Sequence, residues 1–282
     1  MNKKIVIAGA SGYLGNYLVQ SFSEAGYDVT VLVRSIKKID HIKDQITRIH
    51  VVDISDPKAI EGLMEGADAV ISSVGITRQK DGLTYMDVDY QCNKNLLEEA
   101  LTSKVKKFMY ISALNGEHLT KLKIMKAKEQ FVEALLQAPI EGYVIRPSGF
   151  FSDIAEVYHM AKSGRVYLFG NGGYKSNPIH GSDLSNYCVE TITLDAGSYE
   201  VGGPEILTQI DLANKAFEAL GQKAKISKIP KFIADIIKAI LRLVTKVSYY
   251  GPIEFFMTVL TMDMVAPTYG HHQVGDFFKS LE

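Results

Sequence analysis

The sequence has 282 residues, of which 46% are hydrophobic and 22% charged, and its formal net charge is -1. This composition supports a large α/β core and excludes the strong basic bias that is typical of nucleic-acid-binding proteins. The two cysteines, Cys92 and Cys188, show no metal-ligand spacing, so we expect buried thiols in a reducing compartment and no metal site. The first apolar run is short and glycine-bounded, and no apolar stretch reaches about 18 residues, which favours a cytoplasmic location.

The segment at residues 3–16, KKIVIAGASGYLGN, combines a short apolar run with three glycines spaced three residues apart. Residues 5–8 predict a buried strand, and the glycines allow a tight turn, close approach of a pyrophosphate, and close packing of the following helix. The first amides of that helix would face the phosphates, whereas the alternative is a purely structural turn. The cofactor-binding residues predicted here are Gly9, Ser11, Gly12, Tyr13, Leu14 and Gly15.

A helix over residues 13–25 and a second strand over residues 28–33 follow, and the strand ends at Arg34. In a dinucleotide-binding fold this position lies near the adenosine ribose, where an acid would bind the 2′-hydroxyl of NAD. A guanidinium instead pairs with the 2′-phosphate of NADP, so Arg34 favours NADP. The alternative is a solvated arginine after a strand.

A third strand is predicted over residues 46–52, and a helix over residues 57–64 is expected after a Ser-Asp-Pro start. Between them, Asp53 and Ile54 follow the strand end, and we predict that they contact the adenine end of the cofactor.

The fourth strand and its exit occupy residues 67–75, where small residues would let a flat ring or a ribose approach the backbone. We therefore predict cofactor contacts at Ser73, Val74 and Gly75, against the alternative of a plain turn. The polar loop over residues 76–85 contains Arg78 and Lys80 and could close over the site.

Further along the chain, helices are predicted over residues 86–101 and 122–137, and strands over residues 107–112 and 142–145. The last strand leads to Pro147, which we include among the cofactor contacts. Six strands alternating with helices predict an α/β fold with a doubly wound parallel Rossmann sheet. We expect residues 1–150 to form the NAD(P)-binding domain and residues 151–282 a smaller C-terminal lobe that supplies the substrate pocket.

Several motifs together resemble the short-chain dehydrogenase/reductase superfamily, namely GASGYLG, VDISDP, YISALNG, KAKEQFVEALL, YVIRPSGFF and IHGSDL. The resemblance is to its extended and atypical branches, which include NmrA-like, divinyl chlorophyllide reductase-like and complex I accessory subunit-like NAD(P)-binding proteins.

The resemblance implies an active site with a Tyr-x-x-x-Lys pair. The KAKE motif puts Lys126 at the lysine position and Leu122 at the tyrosine position, and Ser112 falls near the family's active-site hydroxyl. Leucine cannot transfer a proton, which argues against alcohol oxidation and against sugar epimerisation. Lys126 would hold the nicotinamide ribose or polarise a substrate carbonyl; the alternative is a solvated lysine.

A proton for a reduced alkene could come from water or from a phenol such as Tyr110, Tyr143 or Tyr158, although each phenol is favoured as a packing residue. His180 and Asp183 could form a proton-handling pair, but the resemblance favours Asp183 as a helix cap.

Residues 230–247 have the pattern of a basic amphipathic helix, with apolar residues on one face and lysines or arginine largely outside it. The favoured interpretation is packing within the lobe, and the alternative is peripheral contact with a membrane surface or a partner.

Together these features predict an NADP-dependent oxidoreductase that reduces a conjugated or quinone-like, hydrophobic small molecule by hydride transfer. The alternative, favoured by the missing tyrosine, is a non-catalytic NADP(H)-binding redox sensor or assembly protein.

Overall fold

A computed structural model of the protein describes residues 2–76 and 82–281. The chain divides into two compact units, one comprising residues 1–146 and 184–199 and the other residues 147–183 and 200–282. The proposed functional division at residue 150 stays a prediction. Arg78 and Lys80, in the loop predicted to close over the site, lie outside the described residues.

The strands are defined by these bounds in chain order: β1 Lys4–Ala8, β2 Asp28–Val33, β3 Arg48–Val51, β4 Ala69–Ser72, β5 Lys107–Ile111, β6 Glu141–Pro147, β7 Val166–Phe169, β8 Lys175–Ser176, β9 Gly197–Val201, β10 Leu207–Thr208 and β11 Ile226–Ile229. The helices are α1 Tyr13–Glu24, α2 Asn93–Thr102, α3 Lys123–Gln137, α4 Phe151–Lys162, α5 Gly181–Thr191, α6 Gln209–Ala219, α7 Lys231–Val244, α8 Val247–Val259 and α9 Val274–Lys279.

The central sheet has the strand order β3-β2-β1-β4-β5-β6-β9, and the neighbours from β3 to β6 all pair in parallel. The predicted doubly wound parallel sheet is therefore confirmed. The strand order reverses at β1, which pairs with β2 on one side and with β4 on the other. In open α/β sheets, ligands bind at such a switch point, beyond the carboxyl ends of the strands.

Two predicted helices differ from the structure. In place of a helix over residues 57–64 there is only a 3₁₀ turn, Pro57–Ile60, because the backbone leaves the helical conformation at Glu61, with a ψ of 127°, and Gly62 follows with a positive φ of 73°. The predicted helix over residues 86–101 begins with a π-helical segment, Met86–Cys92, and continues as α2. π-Helical turns are frequent at functional sites, and this one lies beside the exit of β4.

The second unit has its own core, in which α4, α6 and α9 pack together with β7. Its largest fully buried side chains are Phe151, Tyr158, Phe217 and Phe278. Strand β7 pairs in parallel with β11, and β8 pairs antiparallel with β10. Within residues 2–76 and 82–281, no helix combines the length and the apolar character needed to cross a bilayer.

Candidate cofactor and active site

The glycine turn joins β1 to α1 at the switch point of the sheet. Gly9 has a φ of 87°, and a Cβ there would lie 2.6 Å from the Ser73 hydroxyl, so only glycine fits. A Cβ at Gly15 would collide with the carbonyl oxygen of Gly9. Each of these glycines therefore has a packing reason that does not depend on a ligand.

Gly12 is different, because a Cβ there would meet only the Gly9 carbonyl, at 3.3 Å. It is the N-cap residue of α1, no side chain caps this helix, and its first turn contains no acidic residue. An uncapped, acid-free helix start with exposed backbone is suited to an anion such as a pyrophosphate. The amide of Gly12 itself donates to Gly9 at 2.9 Å and closes the turn.

The other predicted cofactor contacts follow the carboxyl ends of the neighbouring parallel strands. Arg34 lies directly after β2 and is exposed, and Asp53 and Ile54 lie two and three residues after the end of β3. The remaining predicted contacts are Ser73, Val74 and Gly75 after β4, and Pro147 as the last residue of β6. Parallel pairing brings these strand ends to one edge of the sheet, the edge where the glycine turn lies.

The loop after β3 is held in place by its own hydrogen bonds. The carboxylate of Asp53 accepts from the amide and the hydroxyl of Ser55, at 3.0 and 2.8 Å. These hydrogen bonds lower the pKa of Asp53, and the guanidinium of Arg34 lowers it further. Asn95 donates to the carbonyl oxygens of Ile54 and Ser55, which ties the loop to α2. Asp53 therefore lies within the electrostatic influence of Arg34.

Asn93 fixes the exit of β4. Its carbonyl oxygen accepts from the Ser72 hydroxyl at 2.5 Å, and its amide group donates to the carbonyl oxygens of Val74, Val88 and Asp89. The side chain is fully buried. Its amide bonds both a strand-exit carbonyl and two carbonyls in the middle of the π-helical segment, so the β4 exit and that segment are held together.

A buried ion pair lies beside the last residue of this exit. The Lys128 ammonium is 2.9 Å from the carboxylate of Asp89, whose side chain is fully buried, and 3.4 Å from the phenol oxygen of Tyr110. A Cβ at Gly75 would lie 2.7 Å from Asp89 Oδ1 and 2.8 Å from Lys128 Nζ, so the pair packs against this backbone. The other carboxylate oxygen of Asp89 accepts from the amide of Ile76 at 3.2 Å.

Protonation in this cluster is governed by burial and by the pairing. Burial lowers the pKa of Lys128, but Asp89 and Tyr110 together raise it by more, so the net shift is upward and the ammonium stays charged. Burial raises the pKa of Asp89, and the ammonium opposes part of that shift. Burial also raises the pKa of Tyr110 to about 12, so its phenol is protonated at neutral pH. The cluster therefore places a fixed cation beside Gly75.

Ser112 takes part in a second buried network at the end of β5. Its hydroxyl donates to Glu129 at 3.0 Å, and the guanidinium of Arg146 binds both carboxylate oxygens of Glu129 at 2.8 Å. Arg146 also donates to the carbonyl oxygen of Ala113 and to the hydroxyl of Ser198. Two parallel hydrogen bonds between the guanidinium and the carboxylate make this geometry rigid. Ser112, which the resemblance puts near the family's active-site hydroxyl, therefore belongs to a structural ion-pair network.

The structure places Lys126 and Lys128 on different faces of α3. Lys126 is exposed, and its ammonium makes no hydrogen bond or ion pair with any residue among 2–76 and 82–281. Leu122, the residue at the tyrosine position, is buried. Sequence reasoning missed Lys128 and Asp89, but helical periodicity carried a signal for the lysine, because Lys128 shares the face of the buried Ile124.

The three phenols considered as proton donors are all fully buried. Tyr110 contacts Lys128, and Tyr143 donates to the carbonyl oxygen of Leu194 at 2.9 Å. The hydroxyl of Tyr158 lies in the core of the second unit and has no hydrogen-bond partner among the described residues. Each phenol therefore packs in a core.

Asp183 and the histidines of the second unit form a cluster of their own. The carboxylate of Asp183 accepts from the backbone amides of His271 and His272 and lies 2.8 Å from Nδ1 of His272. These three side chains could offer metal ligands within 4.8 Å of one another, which the sequence spacing alone did not indicate. Oδ1 of Asp183 is already hydrogen-bonded to His272, and the absence of a metal site stays a prediction.

Comparisons with known proteins agree with this geometry. A family model described as NAD(P)H-binding matches residues 9–193, and the chain belongs to that family, within the atypical short-chain dehydrogenases/reductases. Photosystem II assembly factor Ycf39 of Trieres chinensis is 27% identical over 84% of this chain and 75% of that protein. Divinyl chlorophyllide a 8-vinyl-reductase of Cucumis sativus is 24% identical over 98% of this chain and 75% of that protein.

Among solved structures, NADPH-dependent quinone oxidoreductase QOR2 of Escherichia coli, complexed with NADPH, superposes with a TM-score of 0.73. The match covers 98% of this chain and 99% of that chain at 16% identity, which establishes a shared fold.

Proposed function

We propose that this chain is an NADP(H)-dependent reductase that transfers hydride to a conjugated or quinone-like, hydrophobic small molecule. Two neighbouring features carry the proposal. The glycine turn at the switch point leads into helix α1, whose start no side chain caps, and the guanidinium of Arg34 follows the adjacent strand β2. The glycine turn suits a dinucleotide pyrophosphate, and Arg34 suits the extra phosphate of NADP. When bound, NADPH supplies the hydride.

The roles of the remaining residues follow from their positions. Gly12 allows the pyrophosphate to approach the backbone because it has no Cβ. Asp53 and Ile54 contact the adenine end of the cofactor. Lys128 presents a fixed cation beside Gly75, which can donate hydrogen bonds to ribose hydroxyls or to a substrate carbonyl. Lys126, exposed on α3, remains a second candidate for that task.

The residue at position 122 supports reduction of an activated double bond over oxidation of an alcohol. Leu122 has no ionisable group, so the phenol that alcohol oxidation needs is missing at that position. Hydride addition to an enone or a quinone places charge on a conjugated oxygen, which a nearby cation stabilises without a dedicated proton donor. The names of the vinyl-reductase and quinone oxidoreductase relatives support the same substrate class.

A non-catalytic role is the second candidate. The similarity to an assembly factor and the missing phenol both support an NADP(H)-binding protein that senses redox state or assists assembly. This candidate shares the cofactor site with the first and differs only in turnover.

The experiment that separates the two candidates is NADPH oxidation by the purified chain with a panel of quinones and enones. The first candidate predicts consumption that depends on one acceptor class and is lost in Gly12→Val, whose side chain would project at the start of α1, where we propose that the pyrophosphate binds. The matched control is Gly197→Ala, where a Cβ meets no atom closer than 3.9 Å. NADPH binding with no acceptor-dependent consumption would overturn the reductase proposal in favour of the non-catalytic one.

A further inference from the structure

The amphipathic helix α7 exposes its apolar face. Phe232, Ile236, Ile240 and Leu243 recur at helical spacing and are all exposed, and Leu243 retains 86% of its accessible surface. The favoured prediction from sequence was that this face packs in the lobe. In the structure, Ala234 is the only residue of α7 that is fully buried.

Further large apolar side chains are exposed at the end of α7 and on α8. Helix α8 begins three residues later and packs against α7. We call this surface the α7 face; its large exposed residues are Phe232, Ile236, Ile237, Ile240, Leu243, Val244, Tyr249 and Ile253. Contiguous exposed apolar surface of this kind marks an interaction site, because soluble monomers rarely tolerate it.

Polar contacts hold α7 in place from its other side. Arg242 forms an ion pair with Glu254, a buried carboxylate on α8. Lys231 donates to the carbonyl oxygen of Thr261. These contacts use the cationic side of the helix, so the apolar side is directed away from the unit that carries it.

Two features of the α7 face indicate a lipid surface as its occupant. The first is chemistry: of its eight large residues, only Tyr249 has a hydrogen-bonding side chain. Specific protein interfaces usually carry about one hydrogen bond per 100–200 Å², whereas the acyl boundary of a bilayer offers none. The face includes two exposed aromatic residues, Phe232 and Tyr249, and aromatic rings favour the headgroup level of a bilayer.

The second feature is charge. Residues 228–250 contain five cationic residues and one acidic residue, although the whole chain has a net charge of -1. The five are Lys228, Lys231, Lys238, Arg242 and Lys246. Lys231, Lys238 and Arg242 make contacts within the second unit, whereas Lys228 and Lys246 are exposed near the two ends of the segment and complement anionic headgroups. No helix in the described part of the chain is able to span a bilayer, so the contact would be made by a helix lying in the interface.

We propose that the α7 face docks the protein on the surface of bilayers that contain anionic phospholipids. The apolar side chains insert at the headgroup–acyl boundary, and the exposed Lys228 and Lys246 contact the anionic headgroups. This proposal concerns the second unit alone and does not depend on the proposed reductase activity.

The test is cosedimentation of the full chain with vesicles of phosphatidylcholine alone or mixed with phosphatidylglycerol. We expect binding to the anionic vesicles, weaker binding at high salt, and little binding to phosphatidylcholine alone. Ile240→Glu combined with Leu243→Glu should reduce the partition coefficient by about tenfold or more, because both carboxylates would enter the acyl boundary. Lys228→Glu combined with Lys246→Glu should remove the preference for anionic vesicles.

The control is Leu136→Glu, which places a carboxylate at a half-exposed leucine on α3. It should bind vesicles as the unchanged protein does. Circular dichroism checks that every variant is folded. Failure of the unchanged protein to bind anionic vesicles, or equal binding by the face variant and the Leu136→Glu control, would overturn the proposal. An oligomer that the face variant dissociates, together with no vesicle binding, would assign the face to a second copy instead.

Discussion

The ammonium of Lys128 lies 2.9 Å from the carboxylate of Asp89, and the two groups pack against the backbone of Gly75. The pair joins α3 to the π-helical segment at the carboxyl edge of the sheet. The Asp89 side chain is fully buried and that of Lys128 is 13% exposed, so neither group can replace its partner with bulk water. The stability of the fold and the position of the backbone at the proposed cofactor-binding edge of the sheet therefore depend on the same two residues.

Lys128→Met should destabilise the fold strongly, by about 3–5 kcal/mol, because it leaves a buried carboxylate unpaired. Lys126→Met, two residues away on the exposed side of α3, should change stability by no more than about 0.5 kcal/mol. Urea denaturation of both variants measures the difference. A double variant, Asp89→Leu with Lys128→Met, should recover part of the loss. Equal stabilities for the two single variants would refute the assignment of a buried pair.

Gly116→Ala should destabilise the protein through the second ion pair. A Cβ at this position would collide with Glu129 and lie 2.8 Å from Nη1 of Arg146, so the buried pair must move. We expect a loss of about 1–3 kcal/mol, the usual range for overpacking, measured by thermal or urea unfolding. Gly197→Ala, which meets no atom closer than 3.9 Å, is the control and should be nearly neutral. Unchanged stability of Gly116→Ala would contradict the rigidity inferred for this network.

The second unit should lose stability in mild acid because of His180. Burial lowers the pKa of His180 below 6.5, and the neighbouring His272, whose ring stacks at 4.1 Å, lowers it further. His271 acts in the same direction and Asp183 opposes it. Nδ1 of His180 also accepts from the amide of Ser182 at 3.2 Å, an interaction that a proton on Nδ1 would abolish.

The direction of the stability change with pH depends on whether the folded or the unfolded chain binds a proton at His180 first. As the pH falls below about 6.5, the unfolded chain binds a proton at His180 before the folded chain does, so folding stability decreases until the folded pKa is passed. His180→Asn keeps an acceptor at a similar position but does not titrate, and should show a smaller decrease in Tm between about pH 7.5 and about pH 5. The same acid loss in both proteins would assign the effect to other groups.

The sheet was predictable because its strands are short apolar runs bounded by glycine or polar turns, and because their alternation with helices leaves few topologies. The strand ends therefore also located the candidate cofactor edge. The length of the 57–64 helix was not predictable from periodicity, because the backbone leaves the helical conformation at Glu61 and Gly62 follows with a positive φ.

Sequence patterns do not predict which residues form ion pairs when they lie far apart in the chain. Nothing near Asp89 in the sequence indicates that its partner is Lys128, 39 positions later, since the fold alone brings α3 to the π-helical segment. The Tyr-x-x-x-Lys spacing of the family motif pointed to Lys126. The apolar periodicity of α3 instead puts Lys128 on the same face as the buried Ile124. For α7, periodicity predicted an amphipathic helix but carried no information on which face would be covered.

The affinities of NADPH and NADH for the protein and for Arg34→Asp test the central claim most directly. Nicotinamide fluorescence at matched salt measures these affinities. The control, Arg48→Asp, makes the same charge change at the first residue of β3, the end of that strand that lies away from the proposed cofactor edge. We predict tight NADPH binding that Arg34→Asp weakens by about tenfold to a hundredfold, the value of a charge-assisted hydrogen bond, with little change for NADH or for Arg48→Asp. Equal weakening for both nucleotides, or binding of neither by the unchanged protein, would contradict the assignment of an NADP site at this edge of the sheet.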